Sequence, residues 1–352
     1  MESDTLGIFT RKSLIILILV ALAAIALKLV YLLTLVFAAI VLAVMLRAIA
    51  RHLIWLRLPD GLAVAVSVIA LVGGVAGFIW MFGGLVAGQF DELRTQLPTA
   101  ADVAQKQLNQ WGIHYDIDSL TKNLGGQVEN LFSRASGFVI AAGGVIADIV
   151  VVLAGGIFFA AQPDFYRAGA LRLVPKAGEP LAARILDDSG LGLKQWLAGQ
   201  LLSSFCVVVL MTGGLLLLDV PSALALAIIA GVMDFVPFIG PVIAAIPAVL
   251  LGFSKGPTTA LWTLILFLIV QQIQGNVLQP MVQKKSVDLP PVILLFAVIA
   301  MGVLFGPPGI LLAAPLTVVG YILVQHLYIG HVLGREPKRP GRQGQEQQGQ
   351  EA

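Results

Sequence analysis

The chain has 352 residues, 58% of them hydrophobic and only 12% charged, with 22 basic against 20 acidic side chains and a net charge of +2. Soluble domains run near half apolar and about one quarter charged, so this composition marks a membrane protein and excludes the basic surface of a nucleic-acid binder. One cysteine, Cys206, inside an apolar block excludes a disulfide framework and a thiolate metal cage.

Neither a GxxxxGK[ST] loop, an HExxH helix nor a G-x-S-x-G elbow is present, so an ATP-driven pump or an enzyme is not expected, and no cofactor or metal is implied. In chain order, the first apolar block, 13–46, is too long for one crossing, which takes about 20 residues. It predicts two spans in a hairpin, with Lys28 at the far interface. Arg11-Lys12 before an apolar core would suit a cleaved leader, but a second span follows at once, so the segment reads as retained. Further spans are expected at 62–86, 136–161, 197–218 and 257–279, six in all. Loop 47–60 carries Arg47, Arg51 and Arg57 against Asp60, and segment 162–196 carries five bases against four acids. The tail adds Arg335, Lys338, Arg339 and Arg342, whereas 88–135 has six acids against four bases. Excess Lys and Arg marks the cytoplasmic side, which places both termini inside and 88–135 outside.

The expected organisation is a transmembrane hairpin and loop at 1–61, two spans at 62–161 with the external segment 88–135 between them, and a cytoplasmic amphipathic helical segment at 162–196. A transport unit at 197–330 and a disordered tail at 331–352 complete it. Within the external segment Ile117, Leu120, Leu124, Val128 and Leu131 make one helical stripe, and Ala104, Leu108 and Trp111 a shorter one. Both are expected to pack on the protein's own outer face. Arg184, Asp187 and Asp188 read as a solvated helix, and His326 and His331 as interfacial side chains.

Two segments of the transport unit look alike. The first starts at Pro221 and breaks at Pro237, Gly240 and Pro241; the second starts at Pro290 and breaks at Gly306 and Gly309. Pro221 to Gly240 and Pro290 to Gly309 are both nineteen residues, and Pro241 to Pro247 and Gly309 to Pro315 are both six. Proline removes a backbone donor and glycine opens unusual dihedrals, so both clusters interrupt a helix. Each arm of the first is about a dozen residues, too short to cross at 1.5 Å per residue. The prediction is therefore an all-α polytopic fold with six full spans and two oppositely inserted re-entrant hairpins, 221–252 and 289–315. Paired interrupted segments point to a transport site at a repeat interface.

Phe235–Pro241 followed by Ala244-Ala245-Ile246-Pro247, the run Gln271–Pro280 with Gly275-Asn276, and Phe305-Gly306…Gly309…Pro315 resemble three signatures of the autoinducer-2 exporter family of bacterial inner-membrane proteins. Asp288-Leu289-Pro290-Pro291 departs from the family's usual Gly-Leu-His-Pro. The resemblance implies export of a small signalling or metabolic solute such as autoinducer-2, sodium/proton antiport in some members, and a homo-oligomer, with a pentamer among the implied counts. It also implies an acidic residue at position 234.

Charges at the bilayer centre are costly and mark pathways or packing. Asp234, beside the first break, suits a cation or proton site, or caps the freed amides of the break. Asp148, in the middle of 136–161 among paired glycines, suits a hydrogen bond to a neighbouring helix or an ion role. Gln272, Asn276 and Gln279 lie on one face of 257–279, widened by Gln271 and Gln274. Amides both donate and accept, which suits an uncharged polyhydroxylated solute. The expected partners are thus a small polar solute or a monovalent cation or proton, the lipid bilayer and further copies of the chain. A non-transporting scaffold or sensor built on 88–135 is the reading from another class.

Overall fold

A computed structural model describes residues 29, 31–110, 143–278 and 290–335. The first expected span, Lys28, the stripe Ile117–Leu131, Gln279, the start of the second interrupted segment and the tail from 336 lie outside the described residues. Every described element is helical. The helices are α1 Tyr31–Trp55, α2 Asp60–Gln110, α3 Gly143–Ala161, α4 Pro163–Arg172, α5 Glu179–Leu217, α6 Ala223–Met233, α7 Ile239–Lys255, α8 Pro257–Ile273 and α9 Pro291–Leu323. Among the described residues, five helical stretches are long and apolar enough to cross a membrane, or six if the bent pair α3–α4 counts as one. The molecule is a multi-pass, all-α membrane protein.

Helix α1 runs past the expected end of the second span, because Arg47 does not need a loop to find a partner. Its guanidinium donates to both oxygens of Asp60 at 2.6 and 3.0 Å, tying α1 to the start of α2. The turn closes with Arg57 at φ 70°. Small and branched side chains, Ala43, Leu46, Ala50, Ala63, Val64 and Ala160, form a compact core joining α1, α2 and α3.

Helix α2 runs through residue 88, where the span was expected to pass into the external segment. It continues unbroken for 51 residues, about 75 Å at 1.5 Å per residue, so the span and the beginning of the external segment are one rod. Gly88 lowers helix propensity but does not end a helix by itself. The far end of the rod buries Ala101 and Ala104 against Leu250 of α7, with Ile246 and Phe253 packed around them, and Ala100 in the neighbouring core that contains Leu251 of α7. Of that shorter stripe, Ala104 therefore packs on the same chain, while Trp111 and the Leu108 side chain lie outside what the structure describes. Ala104 is 0% exposed, so Ala104→Leu is expected to overpack the α2–α7 seam and cost about 1–3 kcal/mol. Thermal unfolding of the purified protein reads this as a lowered midpoint, with the exposed Val103→Leu as an unshifted control.

Helix α3 turns through 91° into α4, where Pro163 occupies the first helical position and cannot extend the α3 ladder. A short 3-10 turn, Lys176–Gly178, leads into α5. Residues 179–196, expected in the cytoplasmic helical segment, are continuous with most of the expected span 197–218 in one 39-residue helix. Glu179 and Pro180 at its start suit a helix N-terminus. A second core, including Met211, Leu215, Leu226, Leu251, Phe267 and Val270, joins α5, α6, α7 and α8.

Both interrupted segments are interrupted where expected. The first gives the short helices α6 and α7, packed on each other, with Phe238 at φ 65° between them. The second carries Gly306 at φ 64°, ψ −151° inside α9. A Cβ built on Gly309 would lie 2.2 Å from the carbonyl oxygen of Met301. Eight residues of straight helix would separate these positions by about 12 Å, so the chain bends sharply at Gly306 and its arms close on each other. The same closeness recurs at the first break, where a Cβ on Gly240 would lie 1.8 Å from the carbonyl oxygen of Met233.

Helix α9 packs chiefly against α5 and passes into a π-helical stretch, Val324–Val332. His326 there is 4% exposed and its Nε2 lies 2.7 Å from Oδ2 of Asp188 on α5. This corrects the reading of His326 as interfacial and Asp188 as solvated: the pair clasps the end of α9 to the first half of α5. His326→Ala leaves Asp188 without that partner and is expected to cost about 1–3 kcal/mol, measured as a fall in unfolding midpoint. His326→Gln, which retains a donor, should recover part of it.

Candidate functional site

The break between α6 and α7 presents one carboxylate to the interior. Asp234 follows the last turn of α6, its amide bonded to the carbonyl of Ala230 at 2.9 Å, and it is 5% exposed. Helix α5 runs alongside and offers Gln200, Ser203 and Ser204, which at three- and four-residue spacing share a face. Gln200 Nε2 donates to Asp234 Oδ2 and to its backbone oxygen, both at 3.0 Å. Ser203 and Ser204 donate to the same Oδ2 at 3.2 and 3.1 Å.

The other oxygen is held from α8. At Gln274 that helix passes into a five-residue π-helical turn, Gln274–Leu278. Such turns insert an extra residue and re-aim side chains. Gln274 Nε2 reaches Asp234 Oδ1 at 2.6 Å and Ser203 Oγ at 2.8 Å. Behind it, Gln271 Nε2 donates to Gln274 Oε1 at 3.2 Å. Three elements thus converge on one carboxylate.

Among the described residues no Lys, Arg or His forms an ion pair with Asp234. A buried charge normally demands such a partner or a full set of hydrogen bonds. Here four neutral side chains supply the bonds, which fixes the carboxylate in position without neutralising it. The arrangement can accept a hydroxyl proton from a polar molecule, hold a small cation, or take up a proton. Beside it lies a cavity of about 10 Å³ lined by Asp234, Pro241, Gln271, Met211 and Phe267, room for about one water molecule. The site is closed around Asp234.

Other residues singled out from the sequence sit elsewhere. Gln272 and Asn276 are exposed and bond each other at 2.9 Å, so this pair does not turn toward Asp234. Gln271 and Gln274, which only widened that stripe, are the ones that do. Pro237 and Gly240 shape the break: Gly240 donates to the Val236 carbonyl at 2.9 Å and is buried. Gly306 and Gly309 form the second break, and neither lines the cavity beside Asp234. Asp148 is apart from the cluster: it accepts a hydrogen bond from the Tyr31 hydroxyl and so links α3 to α1.

Sequence reasoning missed Gln200, Ser203 and Ser204. A signal existed, since three polar residues within five positions of a strongly apolar span, all on one face, announce something to bond. Their partner was not readable without the packing of α6 on α5.

The family described as AI-2E family transporter matches residues 14–329. The chain is similar to YueF of Bacillus subtilis, 27% identical over 278 residues that cover 75% of each chain. YrrI of the same organism is 26% identical over 292 residues, 77% of this chain and 80% of its own length. The AI-2 transport protein TqsA of Escherichia coli is 23% identical over 299 residues, 82% of this chain and 83% of its own.

Proposed function

The chain belongs to the AI-2E transporter family, and from that premise we propose that it is a secondary transporter exporting a small, polar, uncharged solute of the autoinducer-2 kind across a bacterial inner membrane. The observation that carries this reading is the buried Asp234, ringed by amides and hydroxyls and unneutralised by any cation among the described residues. Groups that both donate and accept can exchange their mutual bonds for bonds to a polyhydroxylated solute at little net cost. TqsA, by its name an AI-2 transport protein, favours that solute class.

The closed cavity means that a solute reaches Asp234 only if α6–α7 moves against α5 and α8. The matching spacings of the two interrupted segments support an inverted repeat of re-entrant hairpins, with the 197–330 unit moving against the preceding spans. Both termini lie in the cytoplasm, and the working form is a homo-oligomer. In this scheme the chain is a carrier, with no catalytic residue.

Gln274→Ala removes the amide that bridges Asp234 and Ser203 and is expected to cut transport at least tenfold, whereas Gln272→Ala leaves it near wild type. Uptake of labelled autoinducer-2 into inside-out vesicles measures both. Equal activity of the two variants would sink the assignment of the site. The competing antiport reading rests on the same unpaired carboxylate. It predicts instead a sodium- or lithium-driven pH change that needs no organic solute and disappears in Asp234→Asn.

A further inference from the structure

A second cavity does not include Asp234. It has a volume of about 510 Å³ and lies where α3 bends into α4, lined by Asp164, Arg167, Leu171, Arg172, Lys176 and Glu179 among others. Arg167 is already engaged: its Nε and Nη2 donate to the two oxygens of Asp187 at 3.0 and 2.8 Å, fastening α4 to α5. Among the described residues no side-chain hydrogen bond or ion pair joins Arg172, Lys176, Asp164 and Glu179, which are exposed, while Asp164 lies in the field of Arg167. Two cations and two carboxylates therefore line one open concavity without being paired to each other.

Helix α4 leaves the apolar helix α3 at 91°, and with a span expected at 136–161 a bend of that size sets α4 along the membrane face. Phe165 is 70% exposed and Leu173 is 88% exposed, large apolar side chains that water does not favour and that the headgroup–acyl boundary accepts. The charged lining matches a molecule with a phosphate and an ammonium, and Phe165 and Leu173, next in sequence to the lining residues Asp164 and Arg172, supply apolar surface on the same segment for acyl chains.

We infer that this cavity seats a phospholipid with a zwitterionic phosphoethanolamine headgroup, its phosphate on Arg172 and Lys176 and its ammonium on Asp164 and Glu179, with Phe165 and Leu173 against the acyl chains. A purely anionic headgroup is disfavoured, because the two carboxylates repel it. A choline headgroup carries the same charges but has no N–H to donate to the carboxylates.

The test is native mass spectrometry of the full-length protein in detergent, loaded with equimolar phosphatidylethanolamine, phosphatidylcholine and phosphatidylglycerol. Wild type should retain phosphatidylethanolamine in excess of both others. Arg172→Gln with Lys176→Gln should reduce that retention on the order of twentyfold, taking about fivefold for each basic side chain near a lipid surface. Arg172→Lys with Lys176→Arg should keep it, which separates lost charge from lost folding. Asp164→Asn with Glu179→Gln should shift preference toward phosphatidylglycerol. Soluble glycerophosphoethanolamine should leave the lipid in place, and Phe165→Ser with Leu173→Ser should weaken it. Equal retention of all three lipids, retention unchanged by both charge-removing pairs, or displacement by the soluble headgroup would each overturn the proposal, the last by assigning the cavity to a soluble phosphate compound.

Discussion

Gly240→Ala is expected to abolish transport and to cost the folded protein about 3 kcal/mol or more, beyond the usual penalty for a single added methyl group. The new Cβ would sit 1.8 Å from the carbonyl oxygen of Met233 and 2.6 Å from its carbon, well inside contact distance. The obstruction is backbone, at the last residue of α6, so no side chain can rotate away. Relief requires α6 and α7 to separate at the break, which pulls Asp234 from Gln200, Ser203, Ser204 and Gln274. Gly309→Ala meets the same kind of obstruction at 2.2 Å from the Met301 carbonyl oxygen and should behave alike. Gly320→Ala has nothing within 4 Å of the added carbon and should match wild type. Unfolding midpoints of the three variants, with expression level as a control for assembly, check the set. A normal midpoint for Gly240→Ala would mean that α6 and α7 do not pack as described.

Asp234 gives the second large effect, and two substitutions separate its structural part from its chemical part. In Asp234→Ala the donors of Gln200, Ser203, Ser204 and Gln274 lose their shared acceptor in a nearly dry site. Each buried group left unsatisfied costs about 1–3 kcal/mol, so the variant should be markedly destabilised as well as inactive. Asp234→Asn keeps the shape. Its carbonyl oxygen can take the bonds from Ser203, Ser204 and Gln200, and its amide can donate to Gln274 once that amide turns over. Its unfolding midpoint should stay near wild type, while transport falls at least tenfold because the negative charge is gone. A variant that is stable and fully active would show that the carboxylate serves only to cap the break.

Much of this could be read from residues alone, for identifiable reasons. Apolar blocks located spanning helices because crossing a bilayer imposes a length and a polarity that few sequences meet by accident. The breaks at Pro237–Pro241 and Gly306–Gly309 were legible because proline and glycine act locally, whatever surrounds them. That the helices run on through 88 and 196 was not legible, because no proline or cap marks those positions: a helix that leaves an apolar stretch has no reason to stop if its next residues are polar and helical. The site was half legible. Asp234 stood out as an unusual charge. Gln272 and Asn276 share a face as a regular repeat groups them, but it is Gln274, which only widened that stripe, that reaches Asp234. Which side of α8 meets Asp234 depends on the packing of α8 beside α5 and α6, which no local pattern announces.

Passage of a polar solute through the Asp234–Gln274 site is tested most directly by counterflow, with purified protein reconstituted in vesicles, loaded with unlabelled autoinducer-2 and diluted into a trace of labelled solute. Wild type should accumulate label transiently, and Gln274→Ala and Asp234→Asn should lose that accumulation at equal protein content. Accumulation that survives both substitutions, or no accumulation while a sodium gradient drives a pH change that Asp234→Asn removes, would contradict it.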